Sequence, residues 1–307
     1  RARVHSSAMA DFALGVTLAA LEAIGLWDGI TDDTSTDEVC HCFLKLRTAG
    51  TAYTCAPRAE QQTWGTRYVQ VYTHKETGDT TELPPPGTCS YAELLLSSAD
   101  TKHLVGKPTV FFSHAWKFKF RNVLKAMRFF IAQNKLDATE VFFWFDIACV
   151  DEHASQHFDQ AWWSSTFKNA IGAIGHTLMM LSPWHKPLTL TRAWCLWEAF
   201  CSVETGATFS VCLGQEERAA FLQAVVGDSQ VVMKVFADIN IRKAEATDPK
   251  DLEMIDAAVR ASEGGYTAVS AKIYEQMRDW VAHTMRQEVE TRRDADGALG
   301  EVDLGMA

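Results

Sequence analysis

The chain has 307 residues, 47% of them hydrophobic and 22% charged, with a formal net charge of −10. That length holds one large or two average domains with ample core material, and the acidic balance excludes a nonspecific nucleic-acid binder, because phosphate backbones need a positive field. Eight cysteines spread over the chain make no dense disulfide framework, and five of them sit in apolar runs, so buried thiols in a reducing compartment, the cytoplasm, are expected.

The chain opens Arg1-Ala2-Arg3 without a methionine and reads as a processed piece of something longer. Its first apolar run, residues 8–27, is interrupted by Asp11 and Glu22 and has neither signal-peptide nor membrane-span character. Within it Phe12, Val16, Ala19, Ala20 and Ala23 recur at helical spacing, which predicts an amphipathic helix over residues 8–26 ending before Gly29. The Thr/Asp run 31–37 supplies an N-cap for a short second helix over residues 38–46. Cys40-His41-Cys42 with Cys55 offers zinc-type ligands but lacks paired Cys-x-x-Cys spacing, and no metal is expected. Alternation in Arg67-Tyr68-Val69-Gln70-Val71-Tyr72 and the turn Glu76-Thr77-Gly78-Asp79 predict a hairpin over residues 66–83. The stiff Pro84-Pro85-Pro86-Gly87 then marks a boundary. It separates an N-terminal α+β extension, residues 1–90, from an α/β domain with C-terminal helices, residues 91–290, and a flexible tail, 291–307, rich in Asp, Gly and Ala. A short helix over residues 91–98 leads into the second unit.

Past Pro108 the pattern changes. Val110-Phe111-Phe112 is a short apolar run of the kind a strand buried on both faces requires. A helix follows, carrying Val123, Leu124, Met127, Phe130 and Ile131, and then a second such strand, Val141-Phe142-Phe143-Trp144-Phe145, ending at Asp146. Phe167, Ala170, Ile171 and Ile174 mark another helix before a third strand, residues 177–182, and a fourth, residues 208–213. Strict β-α alternation implies a doubly wound parallel sheet, whose ligands bind at the carboxyl ends of the strands. Residues 216–226, 249–261 and the set Val269, Ile273, Met277, Trp280 and Val281 predict C-terminal helices. Periodicity does not separate strand from helix over residues 231–241, where a fifth strand would fit.

Between the third and fourth strands lies Ala193-Trp194-Cys195-Leu196-Trp197-Glu198-Ala199-Phe200-Cys201, a helix apolar nearly all round and therefore buried. Glu198 is its one carboxylate in this stretch, and buried carboxylates are rare unless paired, hydrogen-bonded or functional.

Val110-Phe111-Phe112-Ser113-His114, Phe143-Trp144-Phe145-Asp146, Leu178-Met179-Met180-Leu181-Ser182-Pro183 and Trp194-Cys195-Leu196-Trp197-Glu198 occur in the order of the landmarks of Toll/interleukin-1 receptor (TIR) domains. The last resembles the Trp-Cys-Leu-x-Glu run of plant-type members. The resemblance covers residues 109–213 and nothing in residues 1–90. It implies a flavodoxin-like sheet of about five strands. It also implies one of two activities in a signalling or defence role. Some members cleave the nicotinamide–ribose bond of NAD by hydrolysis or cyclisation, with NAD as substrate and the glutamate matched by Glu198 catalytic; others assemble signalling complexes by homotypic self-association. The cofactor-binding residues implied here are Ser113, His114, Trp116, Asp146 and Trp194. Ser113-His114-Ala115-Trp116 stands where many members have Ser, an aromatic and an arginine.

The chemistry fits on its own terms. Breaking an N-glycosidic bond builds positive charge on the sugar, and a carboxylate beside it stabilises that charge or holds the ribose hydroxyls. Structural roles compete for every residue named. Glu198 can pair with Arg192, His114 can serve as a hydrogen-bonded strand-end residue, Asp146 as a cap, and Trp194 and Trp197 as core aromatics. A thiol hydrolase using Cys149 with His153 or His157 lacks any feature that would lower the thiol pKa, and no glycine-rich phosphate loop follows a strand. For a self-associating module the divergent loop 147–157 and Trp162-Trp163 are the candidate contacts.

Overall fold

The computed structural model describes residues 12–62, 65–155 and 165–304, excepting the side chains of 61–67 and 294–304. His157, Trp162 and Trp163 lie outside the described residues.

The chain starts with β1 (Gly15–Thr17) and α1 (Leu18–Gly25), which Thr17 caps by accepting from the Ala20 amide. Within the predicted first helix, Gly15–Thr17 are therefore strand, and the helix begins only at Leu18. Val16 pairs with Phe143 on one side and Val105 on the other, and this long-range pairing overrides the helical spacing of the apolar residues. The second helical run comprises α2 (Thr36–Glu38), a π-helical turn (Val39–Leu44) and α3 (Lys45–Thr48), opened by a Ser35/Glu38 capping box. β2 (Tyr53–Gln62), β3 (Gly65–His74) and β4 (Thr80–Thr81) make a separate antiparallel sheet. The main partner of residues 67–72 is β2, while the turn at residues 76–79 joins β3 only to the two-residue β4.

Then come α4 (Tyr91–Leu96), β5 (Val105–Gly106), β6 (Val110–Ser113), α5 (Phe120–Gln133), β7 (Phe142–Trp144), α6 (Asp146–Cys149), α7 (Phe167–Ile174), β8 (His176–Met180), α8 (Ala193–Thr205) and β9 (Thr208–Cys212). α9 (Gln215–Ala237), α10 (Pro249–Ala261) and α11 (Gly265–Leu304) follow. The six-stranded sheet has the order β5-β1-β7-β6-β8-β9, with β7, β6, β8 and β9 parallel and β1 and β5 antiparallel at one edge. The fold is flavodoxin-like α/β, with a mixed sheet in place of a purely parallel one.

β1 lies in this sheet, so the sheet draws on residues from both sides of the triple proline; the prolines mark the end of the small hairpin sheet. No strand forms over residues 231–241. α9 runs through Ala237 with a kink at Asp228, and its buried Phe221, Leu222, Val225, Val232 and Phe236 recur at helical spacing. α11 continues helical past Arg292 to Leu304, through the stretch whose composition predicts a tail. Among the described residues α9 is the one helix long and apolar enough to cross a membrane, by length and composition alone.

β6 is the first parallel strand, and the chain leaves it to β7 on one side and to β8 on the other. This switch opens a crevice at the carboxyl ends of β6 and β8. Phe111 and Ser113 share the face of β6 toward α7 and α8, where Phe111 stacks on Trp144 at 4.9 Å and meets Phe167 edge-on at 5.5 Å. Residues 34–37 are stitched beside the same opening. Thr36 and Asp37 amides donate to the Phe118 and Trp116 carbonyls at 2.9 Å each, and the Phe120 amide donates to Thr34 at 2.8 Å.

Candidate functional site

A cleft of about 2020 Å³ covers the switch point. One wall comes from the sheet and α8, the other from residues 35–45 and the β2–β3 hairpin.

On the sheet wall, Ser113 is fully buried at the end of β6 and its hydroxyl donates to Glu198 Oε2. α8 holds Glu198 there because Ala193, Leu196, Ala199 and Phe200 bury its other faces and Cys195 Sγ reaches the His114 carbonyl at 3.2 Å. Glu198 itself is half-buried and opens onto the cleft. Burial pushes its carboxyl well above the ordinary value; the Ser113 hydrogen bond opposes this and the nearby Asp146 charge adds to it. The alternative pairing with Arg192 does not occur: that guanidinium donates to Thr247 Oγ1 at 2.8 Å.

Asp146 bonds one of the expected residues, Trp116, and lies near another, His114. Its Oδ2 accepts from Trp116 Nε1 at 2.7 Å and its Oδ1 accepts from the Ile147 amide at 2.8 Å, the turn role also read from the sequence. Its Oδ1 stands 3.7 Å from His114 Nδ1, too far for a hydrogen bond. The His114 tautomer follows from Thr36. The Thr36 hydroxyl gives its only proton to the Trp116 carbonyl at 2.7 Å, so it accepts from His114 Nε2 at 3.2 Å, and Nδ1 carries no proton. Burial lowers the His114 pKa, with Asp146 opposing, which keeps the ring neutral. His114 is thus a structural pin between β6 and residue 36. Trp194 donates to Asp251 Oδ2 of α10 at 2.9 Å and sets its ring 5.8 Å from Phe167. Five of the six residues singled out in the sequence line this one cleft, and Ser113 lies directly behind Glu198.

On the opposite wall the sequence marks His41 only as a zinc-type ligand and His153 only as a partner for Cys149, neither as part of this cleft. His41 stacks on Tyr68 at 5.3 Å and tilts against Trp116 at 5.7 Å, and burial lowers its pKa to about 3. Asp37, 3.7 Å from His41 Nε2, is raised to about 6 by burial and by Glu38. Glu152 is raised to about 7 by burial, with Lys45 opposing and Asp146 adding. His153 locks the loop behind Glu152 to this wall. Tyr72 OH donates to its Nδ1 at 2.6 Å, and Thr48, whose proton goes to the Leu44 carbonyl at 3.0 Å, accepts from its Nε2 at 2.8 Å. The usable sequence signal was slight: Lys45 is a cation between Leu44 and Leu46, and Glu152 follows the apolar run Ile147-Ala148-Cys149-Val150 beside Asp151.

Cys40 is buried with its thiol pushed well up by burial, and Cys55 Sγ donates to Gln70 Oε1 at 3.0 Å. Among the described residues no three His, Cys, Asp or Glu side chains form a group able to hold a metal ion. Cys149, buried under β7 with its thiol raised to about 12 by burial, is no nucleophile. No family model, no curated protein and no solved structure matches the chain.

Proposed function

We propose that the cleft binds NAD and cleaves its nicotinamide–ribose bond, in the manner of the TIR-like enzymes that the strand-end motifs resemble. The observation that carries this reading is Glu198, a desolvated carboxyl held by Ser113 at the topological switch point and facing a cleft large enough for a dinucleotide. As the C1′–N bond breaks, its electron pair moves onto the pyridinium nitrogen, neutral nicotinamide leaves, and positive charge collects on the ribose. A carboxylate in a desolvated site gains more from that charge than one in water, because the surrounding dielectric screens it less. The same cationic ring, once bound, lowers the Glu198 pKa and draws the group into its charged form. Water or a nucleophile within the substrate then captures the ribosyl cation, giving hydrolysis or cyclisation, and its proton passes to Glu198 or to solvent. Trp116 and Trp194 line the same cleft as Asp146 and Glu198 and supply its aromatic surface for a ring of the ligand. Among the described residues the cysteines form no disulfide with one another, which supports a reducing, cytoplasmic setting.

The test is nicotinamide release from NAD, followed over a wide range of protein concentration because assembly can gate activity in such enzymes. Glu198→Gln is expected to lower kcat at least ~10³-fold. Equal turnover by this variant would remove Glu198 from the chemistry.

A second reading, a self-associating TIR-like scaffold, is favoured by one observation: the Ser113 bond and a retained proton satisfy Glu198 without any ligand. It predicts concentration-dependent association in sedimentation and no NAD turnover at any concentration; a strictly monomeric protein counts against it.

A further inference from the structure

Lys45 opens α3 on the wall facing Glu198, lines the cleft, and is only 8% exposed. Its ammonium has three N–H donors. Among the described residues it makes no hydrogen bond, and no carboxylate oxygen lies within ion-pair distance of it. Burying such a charge is costly unless something compensates. Acidic groups surround it at longer range, since Lys45 holds down the carboxyls of Glu152, Asp37 and Asp151. Those groups give a diffuse field and leave its donors unfilled. The other cations lining the cleft differ from it. Lys117 and Lys250 are exposed, Arg58 pairs with Glu82 at 2.8 Å, Lys119 donates to the Asp33 carbonyl at 2.6 Å, and Arg192 is bonded to Thr247.

We propose that the Lys45 ammonium is the binding point for a phosphoryl anion of the ligand that fills the cleft. A compact ammonium on a buried stem suits a phosphoryl oxygen, which accepts its donors and meets its charge in a low-dielectric setting. Identifying the bearer of that group as NAD rests on the NAD-cleaving reading; the anion site does not. The N-terminal residues thereby supply the phosphate contact that the strand-end loops, lacking a glycine-rich turn, do not provide.

The test is calorimetric titration with inorganic pyrophosphate, ADP-ribose and adenosine, on the wild type, Lys45→Met and Lys45→Arg. The expected result is loss of at least tenfold in affinity for pyrophosphate and ADP-ribose in Lys45→Met, substantial recovery in Lys45→Arg, and an unchanged response to adenosine. Equal affinity for pyrophosphate and ADP-ribose in wild type and Lys45→Met overturns the proposal, as does the absence of pyrophosphate and ADP-ribose binding to the wild type. A structure of the wild-type protein with ADP-ribose needs no variant to fold. A phosphoryl oxygen within hydrogen-bond distance of Lys45 Nζ supports the site, and phosphates seated elsewhere overturn it. The two readings fail separately: Lys45-dependent pyrophosphate binding without nicotinamide release from NAD leaves the anion site standing and removes the NAD reading, and Glu198-dependent turnover unaffected by Lys45→Met does the reverse.

Discussion

The two walls of the cleft hold their polar groups in different ways. On the sheet wall each group sits where a strand or helix end must put it: Ser113 closes β6, Asp146 follows β7, and Glu198 faces inward from α8. On the opposite wall the polar groups are held by contacts between distant segments. Thr48 and His153 are 105 residues apart, Tyr72 and His153 are 81, and Thr36 and Trp116 are 80. The first wall is a product of the α/β architecture and suits chemistry that needs a fixed carboxyl. The second is an added surface clamped onto it, and it suits recognition.

The largest expected effect follows from that division. Glu198→Gln attacks the sheet wall and should remove turnover while leaving ADP-ribose affinity within a few fold. Lys45→Met attacks the added wall and should raise KM with a smaller loss in kcat. If both variants lower kcat alone, the division of labour is wrong.

The second effect concerns stability. The folded-state pKa of Glu152 is about 7, against 4.5 for the free side chain. The folded protein binds that proton more tightly than the unfolded chain, so the stability it contributes is complete below pH 4.5 and is lost as pH rises toward 7. The loss is on the order of 3 kcal/mol at most. Glu152→Gln, which cannot ionise, is expected to be more stable than wild type at pH 8 and close to it at pH 4.5. Thermal melts across this range check the sign, and a variant that melts lower than wild type at pH 8 refutes the assignment. His41 and His153, both lowered to about 3, act in the opposite sense below pH 6.5. Comparing the variant with wild type at each pH cancels their contribution to first order.

This contrast also explains what could be read from the sequence. Val110-Phe111-Phe112 and Val141-Phe142-Phe143 announce buried strands because a strand covered on both faces needs uninterrupted apolar residues, and Ser113, Asp146 and Glu198 then follow as the polar residues at their ends. β1 was hidden, since three residues do not make a period and Gly15-Val16-Thr17 is embedded in an apolar run with helical spacing. α9 beyond Val226 was ambiguous for the same reason: Val231, Val232 and Val235 fit strand and helix, and packing against α11 decides. Lys45, Glu152 and His153 could not be assembled from spacing at all, because they meet only through folding of the hairpin and the helical run across the sheet. The Thr36 hydroxyl that fixes the His114 tautomer belongs to the same group.

A smaller effect sharpens the sheet wall itself. The Ser113 hydroxyl favours the ionised form of Glu198, so its removal raises the Glu198 pKa further. In Ser113→Ala the acidic limb of kcat/KM against pH should move to higher pH, with about a tenfold loss at neutral pH, the cost of one charge-assisted hydrogen bond. An unmoved limb would mean that Glu198 does not govern the limb or that Ser113 does not tune it.

The smallest effect separates the two roles of Trp194. Its indole N–H holds Asp251 and so ties α8 to α10, while its ring lines the cleft beside Glu198. Trp194→Phe keeps an aromatic face and deletes the N–H, leaving part of a half-buried carboxylate without its donor, at a cost of about 1–2 kcal/mol and a Tm lower by a few degrees. Trp194→Ala deletes both. If the ring serves as a stacking surface, ADP-ribose affinity or KM for NAD should change little in the Phe variant and several-fold in the Ala variant, beyond any difference in their melting temperatures. If Trp194 is only a tether, ligand binding in the two variants will scale with their stability, and the ring has no part in recognition.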